Sequence, residues 1–213
     1  MHIQNTKENM LAPQLKLVRK DLEQKIHDRS AKVGVIGLGY VGLPLALTMA
    51  SEGFQVACID IDRKKVDSVN AGMSHVLDVS SEELLSFVVK ERIKATQSLA
   101  VVENLDTVSI CVPTPLRKTK DPDLSYIIAA AEAVHNHLRP GQLIILESTT
   151  YPGTIREVVL PILEKSGLQV GKDFYLAYSP ERVDPGNRTY NTRNIPKVIG
   201  GISPRCTELA TLL

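Results

Sequence analysis

The run Gly37-Leu38-Gly39-Tyr40-Val41-Gly42 constrains this chain more than any other feature. A short apolar run from Lys32 to Gly37 precedes it and reads as a buried parallel strand, and residues Tyr40 to Ser51 after it read as a helix. Alone, the glycine pattern is weak, because packing glycines in a plain strand-to-helix turn give the same letters. In this context each glycine has a separate physical task. Gly37 permits a tight turn, Gly39 lets backbone approach a pyrophosphate, and Gly42 lets helix and strand pack closely. The helix start then offers free N–H groups and the positive end of its dipole to the phosphates.

The same stretch could pass for a membrane span, since Val33 to Ala50 carries no charge over 18 positions. Gly34, Gly37, Gly39, Gly42 and Pro44 would interrupt such a helix badly, so strand, turn and helix explain it better. A second piece supports the dinucleotide reading. Asp60 ends the next strand, Gln55 to Asp60, 18 residues past Gly42. A carboxylate there accepts hydrogen bonds from ribose hydroxyls and repels a 2′-phosphate, which favours NAD over NADP. Ile61 and Arg63 follow at the entry to a helix over Asp62 to Ala71. Arg63 and Lys65 could instead hold a phosphate or be solvated helix residues.

The rest of the chain keeps alternating. A helix with one apolar stripe (Leu11, Leu15, Val18, Leu22, Ile26) runs from Pro13 to about Arg29, and packs either on its own domain or on another subunit. Ser80-Ser81-Glu82-Glu83 has capping-box spacing and opens a helix to about Arg92. Then come a strand (Thr107 to Val112), a helix capped by Asp123 (to Leu138), a strand (Leu143 to Glu147) and a helix (Thr154 to Lys165). Strands near Phe174 to Tyr178 and Lys197 to Ile199 follow, then a helix opened by Ser203-Pro204. This order predicts an α/β fold: a doubly wound, mostly parallel Rossmann-type sheet with an extra N-terminal helix. Residues 1–30 are the extension and helix, and residues 31–213 the cofactor domain.

Composition narrows the function classes. A net charge of +1 gives no reason to expect nucleic acid or a membrane as partner. Cys58, Cys111 and Cys206 are far apart with no Cys-x-x-Cys spacing, so neither a disulfide framework nor a metal site is expected, and a reducing cytoplasm fits. Cys111 lies within a strand and reads as a small buried filler rather than a nucleophile. No secretory signal is evident, so the sequon at Asn187-Arg188-Thr189 is read as chance.

Three further strands end in unusual loops: Pro113-Thr114-Pro115-Leu116, Ser148-Thr149-Thr150-Tyr151-Pro152-Gly153 and Ser179-Pro180-Glu181-Arg182-Val183-Asp184-Pro185-Gly186. In open α/β sheets the ligand sits beyond the carboxyl ends of the strands, so these rigid proline turns read as a polar rim around one.

These loops resemble the nucleotide-sugar dehydrogenases, the UDP-glucose/GDP-mannose dehydrogenase family. The likeness runs from Lys32 onward and rests on Val35 to Pro44, Val112 to Pro115 and Glu147 to Thr154 together. The stretches Ser179 to Asn187 and Ile195 to Gly201 look most like the branch that oxidises UDP-N-acetylglucosamine at C6, with UDP-N-acetylgalactosamine and UDP-N-acetylmannosamine enzymes as close relatives. The resemblance implies two NAD-dependent oxidations of a primary alcohol to an acid, through a thioester on a cysteine. It also implies NAD contacts at Gly37, Gly39, Tyr40, Val41, Gly42, Asp60, Ile61, Arg63, Val112, Pro113, Thr114, Ser148 and Thr149. Thr149 matches a threonine that holds a catalytic water, and Glu181 matches a glutamate of the substrate-side loop. Where the UDP-glucose branch has a second glutamate, this chain has Pro185, with Asp184 beside it.

The family's Gly-Gly-His-Cys stretch is absent, as are the substrate-holding lysine and asparagine of its middle domain. The resemblance therefore implies the N-terminal domain of a longer, homo-oligomeric enzyme, inactive alone. Two other readings stand beside it: a standalone NAD-binding module that regulates a partner, and a 3-hydroxyacid or 6-phosphogluconate-type dehydrogenase. The latter would share the glycine turn but not the loops at 151–154 and 180–186.

Overall fold

Strands form where short runs are apolar at nearly every position, because a parallel sheet covered by helices buries both its faces. The computed structural model describes residues 22–118, 121–182 and 194–213. In chain order the elements are α1 (residues 22–27), β1 (Lys32–Ile36), α2 (Gly42–Ser51), β2 (Gln55–Ile59), α3 (Arg63–Asn70), α4 (Ser81–Val89) and β3 (Ile93–Thr96). A 3-10 turn (Leu99–Asn104), β4 (Thr107–Ile110), α5 (Ser125–His135) and β5 (Leu143–Leu146) follow. The chain then forms a π turn (Ile155–Val159) continuous with α6 (Leu160–Glu164), β6 (Tyr175–Tyr178), β7 (Gly200–Gly201) and α7 (Pro204–Leu212). The sheet order is β3-β2-β1-β4-β5-β6-β7, parallel except at β7. This is the doubly wound, mostly parallel architecture expected from the alternation.

Side chains on successive strand positions serve opposite faces. Val33 and Val35 join the core under α2, α4 and α7, with Leu143 and Ile145. Ile36, Ile110, Ile144 and Leu146 join the core under α5 and α6. The described part of the N-terminal helix belongs to the first of these: Leu22 and Ile26 are buried there, Glu23 pairs with Arg205 of α7, and Lys25 reaches Asp106 at 3.2 Å. This turn of helix therefore packs on its own domain. Leu11, Leu15 and Val18 lie outside the described residues.

Helix starts follow the sequence closely. Asp62 caps α3 by accepting the Lys64 N–H, Ser80 caps α4 through the Glu83 N–H, and Ser203 caps α7 through the Cys206 N–H with Pro204 next. At α5 the expected cap is displaced by one residue: Leu124 holds the cap position with no side-chain bond, and Asp123 before it accepts the Ser125 N–H at 3.0 Å.

Three features depart from expectation. First, the helix foreseen from Thr154 to Lys165 opens as a π turn. Pro161 has no N–H to return to the Glu157 carbonyl, so α-helical bonding cannot run through it. Second, the strand foreseen at Lys197 to Ile199 lies at Gly200–Gly201 and is antiparallel to β6. Lys197 is held by Glu147 at the carboxyl end of β5, so the chain meets β6 from that end and runs back along it. Third, β3 and the 3-10 turn have no counterpart in the sequence reading.

What positions a site is the register. Ile36 aligns with Ile59 on one side and Ile110 on the other, Ile110 with Leu146, and Leu146 with Tyr178. Five strands thus end in one row. The turn after β1 faces the end of β4 across the point where the strand order reverses, which is where open sheets of this kind leave a crevice.

Candidate functional site

The crevice is a cleft of about 540 Å³ running along those strand ends. Its floor is the glycine turn. Gly37 adopts φ +96°, and a Cβ there would come within 2.6 Å of the Cys111 carbonyl oxygen. A Cβ on Gly42 would sit 1.8 Å from the Gly37 carbonyl oxygen. Gly37 and Gly42 are therefore required by the protein's own packing. Gly39 differs: a Cβ there meets nothing within 4 Å, and Gly39 lines the cleft. Its missing side chain leaves open space for a ligand, as a pyrophosphate-binding turn requires. No side chain caps the start of α2; the Leu43 N–H returns to the Gly39 carbonyl at 3.1 Å and Pro44 has no N–H, so this helix offers an anion its positive dipole end rather than a row of free N–H groups.

One end of the cleft is built around Asp60, which is 7% exposed. Its Oδ2 accepts the Leu38 N–H at 2.7 Å, and its Oδ1 the Asp62 N–H at 2.9 Å. Lys65 stands 3.4 Å away. The carboxylate is thus a structural tie of the turn as well as a cleft group, with acceptor capacity remaining. Ile61 and Tyr40 line the cleft with their side chains exposed.

The other end gathers the loops after β4, β5 and β6. Val112, Pro113, Thr114, Ser148, Thr149 and Glu181 all line it. Ser148 Oγ donates to the Val112 carbonyl at 2.7 Å, and Thr114 Oγ1 donates to the Thr149 carbonyl at 2.7 Å. Those two hydroxyls cross-tie the loops. The Thr149 side chain is exposed to the cleft, and the hydroxyl that serves the turn before the π segment is that of Thr154, bonded to the Tyr151 carbonyl at 2.9 Å. The Glu181 N–H donates to the Glu147 carbonyl, and Glu181 Oε1 accepts the Arg182 N–H at 2.6 Å.

Of the residues expected at the cofactor, two stand outside the cleft lining. Gly42 lies beneath the turn, where it packs helix against strand. Arg63 points away and pairs with Asp67 one helical turn on, at 3.5 Å. Val183, Asp184, Pro185, Gly186 and Asn187 lie outside the described residues.

The sequence reading missed several lining groups. Gln97 donates to the Ile61 carbonyl at 2.8 Å and walls the Asp60 end. Ala129 and Ala133, one turn apart on α5, give the cleft a smooth side, with Tyr126 beside them. Their spacing was a visible signal, but alanines on a helix have no chemistry of their own. Glu147 is the largest omission. Its side chain is 4% exposed and takes the Lys197 ammonium at 2.7 Å. Burial pushes its carboxyl above the usual range; the Lys197 charge and hydrogen bond pull it partly back.

The two thiols nearest the glycine turn, Cys58 and Cys111, are not activated. Burial pushes the Cys111 thiol well above its ordinary value, with the Glu147 charge adding to the shift, and burial alone takes Cys58 up to about 12. Neither would supply thiolate near neutral pH.

Residues 31–213 match the profile of the UDP-glucose/GDP-mannose dehydrogenase family, NAD binding domain. The chain is 36% identical over 186 residues to the UDP-N-acetyl-D-glucosamine 6-dehydrogenase of Pseudomonas aeruginosa, covering 87% of this chain and 43% of that protein. It is 36% identical over 187 residues to the UDP-N-acetyl-D-mannosamine dehydrogenase of Pyrococcus horikoshii, covering 85% and 44%. Its fold superposes on the crystal structure of an NDP-N-acetyl-D-galactosaminuronic acid dehydrogenase from Methanosarcina mazei Go1 with a TM-score of 0.80 at 32% identity, over 90% of this chain and 43% of that one. The chain spans less than half the length of these relatives. It belongs to the UDP-glucose/GDP-mannose dehydrogenase family, of which it carries the NAD-binding domain.

Proposed function

We propose that this chain is the cofactor half of an NAD-dependent nucleotide-sugar 6-dehydrogenase that oxidises a UDP-N-acetylhexosamine, UDP-N-acetylglucosamine first among them, to the uronic acid. The observation that carries this is the cleft itself. It joins a carboxylate-ended, Cβ-free turn suited to a dinucleotide with a wall bearing Thr149 and Glu181 at its far end. The branch of substrate rests on the relatives named above and on the Ser179 to Asn187 and Ile195 to Gly201 stretches.

The residues divide as follows. Gly39 and the start of α2 receive the pyrophosphate. Asp60 takes the adenosine ribose, with Lys65 and Gln97 beside it and Tyr40, Val41 and Ile61 around the adenosine. Val112, Pro113, Thr114 and Ser148 form the wall at the nicotinamide end. NAD supplies the hydride acceptor for the C6 alcohol when bound. Thr149 presents its hydroxyl at the reacting end and holds a water, and Glu181 faces the substrate as an acid–base partner. The nucleophilic thiol comes from outside this chain, in keeping with the buried state of Cys58, Cys111 and Cys206. We take residues 31–213 as the domain proper, with residues 1–30 as its extension. The parent enzyme is proposed to be a homo-oligomer of the cytoplasm; no helix among the described residues is long and apolar enough to cross a membrane.

Calorimetric titration with NAD and NADP, with a parallel assay of NADH formation from UDP-N-acetylglucosamine, tests the proposal. The chain should bind NAD in preference to NADP and form no NADH. Oxidation of the sugar by the pure chain, or failure to bind NAD, would overturn it.

A further inference from the structure

One residue of the glycine turn, Leu38, is gripped through both of its flanking peptides. The Leu38 N–H donates to Asp60, as described, and the Leu38 carbonyl oxygen lies 2.5 Å from Nε2 of His75. A carbonyl can only accept, so this ring nitrogen carries the proton and donates. His75 is exposed, lies in the connection between α3 and α4, and is 37 positions along the chain from Leu38. Neither His75 nor Leu38 lines the cleft. The imidazole therefore holds the turn from outside.

The connection is shaped to put it there. Gly72 adopts φ +70°, and a Cβ there would come within 2.8 Å of the Leu85 backbone. The Ser74 N–H donates to Ser81 Oγ at 2.9 Å, and Ser74 Oγ donates to the Val76 carbonyl at 2.9 Å. Val79 is buried in the core and anchors the far side of the loop. His75 is thus presented on an ordered loop with its neighbours bonded.

The consequence follows from peptide geometry. The Leu38 carbonyl and the Gly39 N–H share one planar trans unit and point in opposite directions. Fixing the carbonyl toward His75, outside the cleft, fixes the Gly39 N–H on the opposite side, and Gly39 is a cleft residue. Glycine is the residue whose backbone is least restrained by its own structure. Here the restraint comes from a distant side chain.

We propose that His75 is a positioning residue for the cofactor: it holds the Leu38–Gly39 peptide so that the Gly39 N–H faces the pyrophosphate before the dinucleotide arrives. This rests on reading the cleft as the NAD site. A group that pre-orients a donor reduces the ordering that binding must otherwise supply.

The test compares wild type, His75→Ala and His75→Gln in the full 213-residue chain. Titration calorimetry reads the affinity for NAD and for ADP-ribose, which shares the pyrophosphate. Thermal melts and Gly39 amide hydrogen exchange are read on the cofactor-free chain. Loss of one hydrogen bond's worth of orientation should weaken both ligands by roughly threefold to tenfold in His75→Ala. Gly39 exchange should quicken and the melting temperature should hold. His75→Gln keeps an N–H donor and should recover most of the affinity. Wild-type affinity in His75→Ala with unchanged Gly39 exchange would overturn the inference. So would a His75→Gln variant as weak as alanine whose deficit disappears at high salt, since the imidazole would then be acting as a charge. If wild type itself bound no NAD, the cofactor reading of the cleft would fail, and this inference with it.

Discussion

Replacing Lys197 by methionine keeps the length of the side chain and removes its charge. It leaves Glu147 with no counter-ion at a position where its side chain is 4% exposed. Removing one partner of a buried ion pair costs about 3–5 kcal/mol, because the other charge stays buried without compensation. Lys197 keeps 24% of its side chain exposed, so water reaches one side of the pair and the lower figure, about 3 kcal/mol, applies. For a chain of this size that is a fall of roughly 6–12 °C in melting temperature at neutral pH. The pH dependence has a definite sign. Burial raises the folded-state value of the Glu147 carboxyl even with Lys197 present. A carboxyl raised on folding withdraws stability as pH climbs from its unfolded value through its folded value, and adds no further loss above that. Without Lys197 the folded value rises further and the window extends upward. The deficit of Lys197→Met should therefore be largest near pH 8 and shrink toward pH 5, where Glu147 takes a proton. Glu147→Gln should cost only about 1 kcal/mol, since it leaves the better-solvated partner unpaired. The double variant should recover most of what Lys197→Met loses. Urea melts of all four proteins at pH 5 and pH 8 provide the readout. A deficit below about 1 kcal/mol, or one equal at both pH values, would show that water already screens the pair and would refute the reasoning.

Gly39→Ala should melt like wild type yet bind NAD at least about tenfold more weakly, whereas Gly42→Ala should lose roughly 1–3 kcal/mol or more, because its Cβ meets the Gly37 carbonyl; melts paired with NAD titration separate the two. Asp60→Ala strands two amides and should cost about 2–3 kcal/mol, besides weakening NAD and narrowing its advantage over NADP, as measured with both cofactors on the same preparation. Ile26→Ala opens a cavity in the core under α1 and should cost roughly 2–5 kcal/mol in urea melts at any protein concentration. In the longer enzyme proposed above, Thr149→Ala should leave stability within about 0.5 kcal/mol and lower turnover by roughly a hundredfold or more; a destabilised but fully active variant would end its assignment.

The architecture, and most of the residues lining the Asp60 end of the cleft, were legible in the order of amino acids alone. Short uninterrupted apolar runs separated by amphipathic stretches can be satisfied only by a parallel sheet covered on both faces. The caps at Asp62, Ser80 and Ser203 are local chemistry, readable because donor and acceptor lie within three residues of each other. Gly42 was legible for the same reason, since its Cβ would meet the Gly37 carbonyl five residues back, whereas the Cys111 carbonyl that demands Gly37 arrives from the end of β4. Whatever depends on groups brought together from far apart was settled only by long-range packing. Glu147 and Lys197 are 50 positions apart, and nothing local marks either as half of a buried pair. Their contact lies at the carboxyl end of β5, the end from which β7 runs back along β6, and periodicity placed that strand a few residues too early. Gln97 and the α5 alanines reach the cleft only because the sheet order brings β3 and α5 to its two sides. Ser148 offered a hydroxyl that read as a cofactor contact, and only the fold showed it donating to the Val112 carbonyl. His75 is the same case: an ordinary loop histidine in sequence, it gains significance because the chain between α3 and α4 returns to the one carbonyl that orients Gly39. Pattern and propensity act over a few residues, so they fix elements and caps. A site assembled from five strand ends depends on register and crossing, which are settled only when the whole sheet has formed.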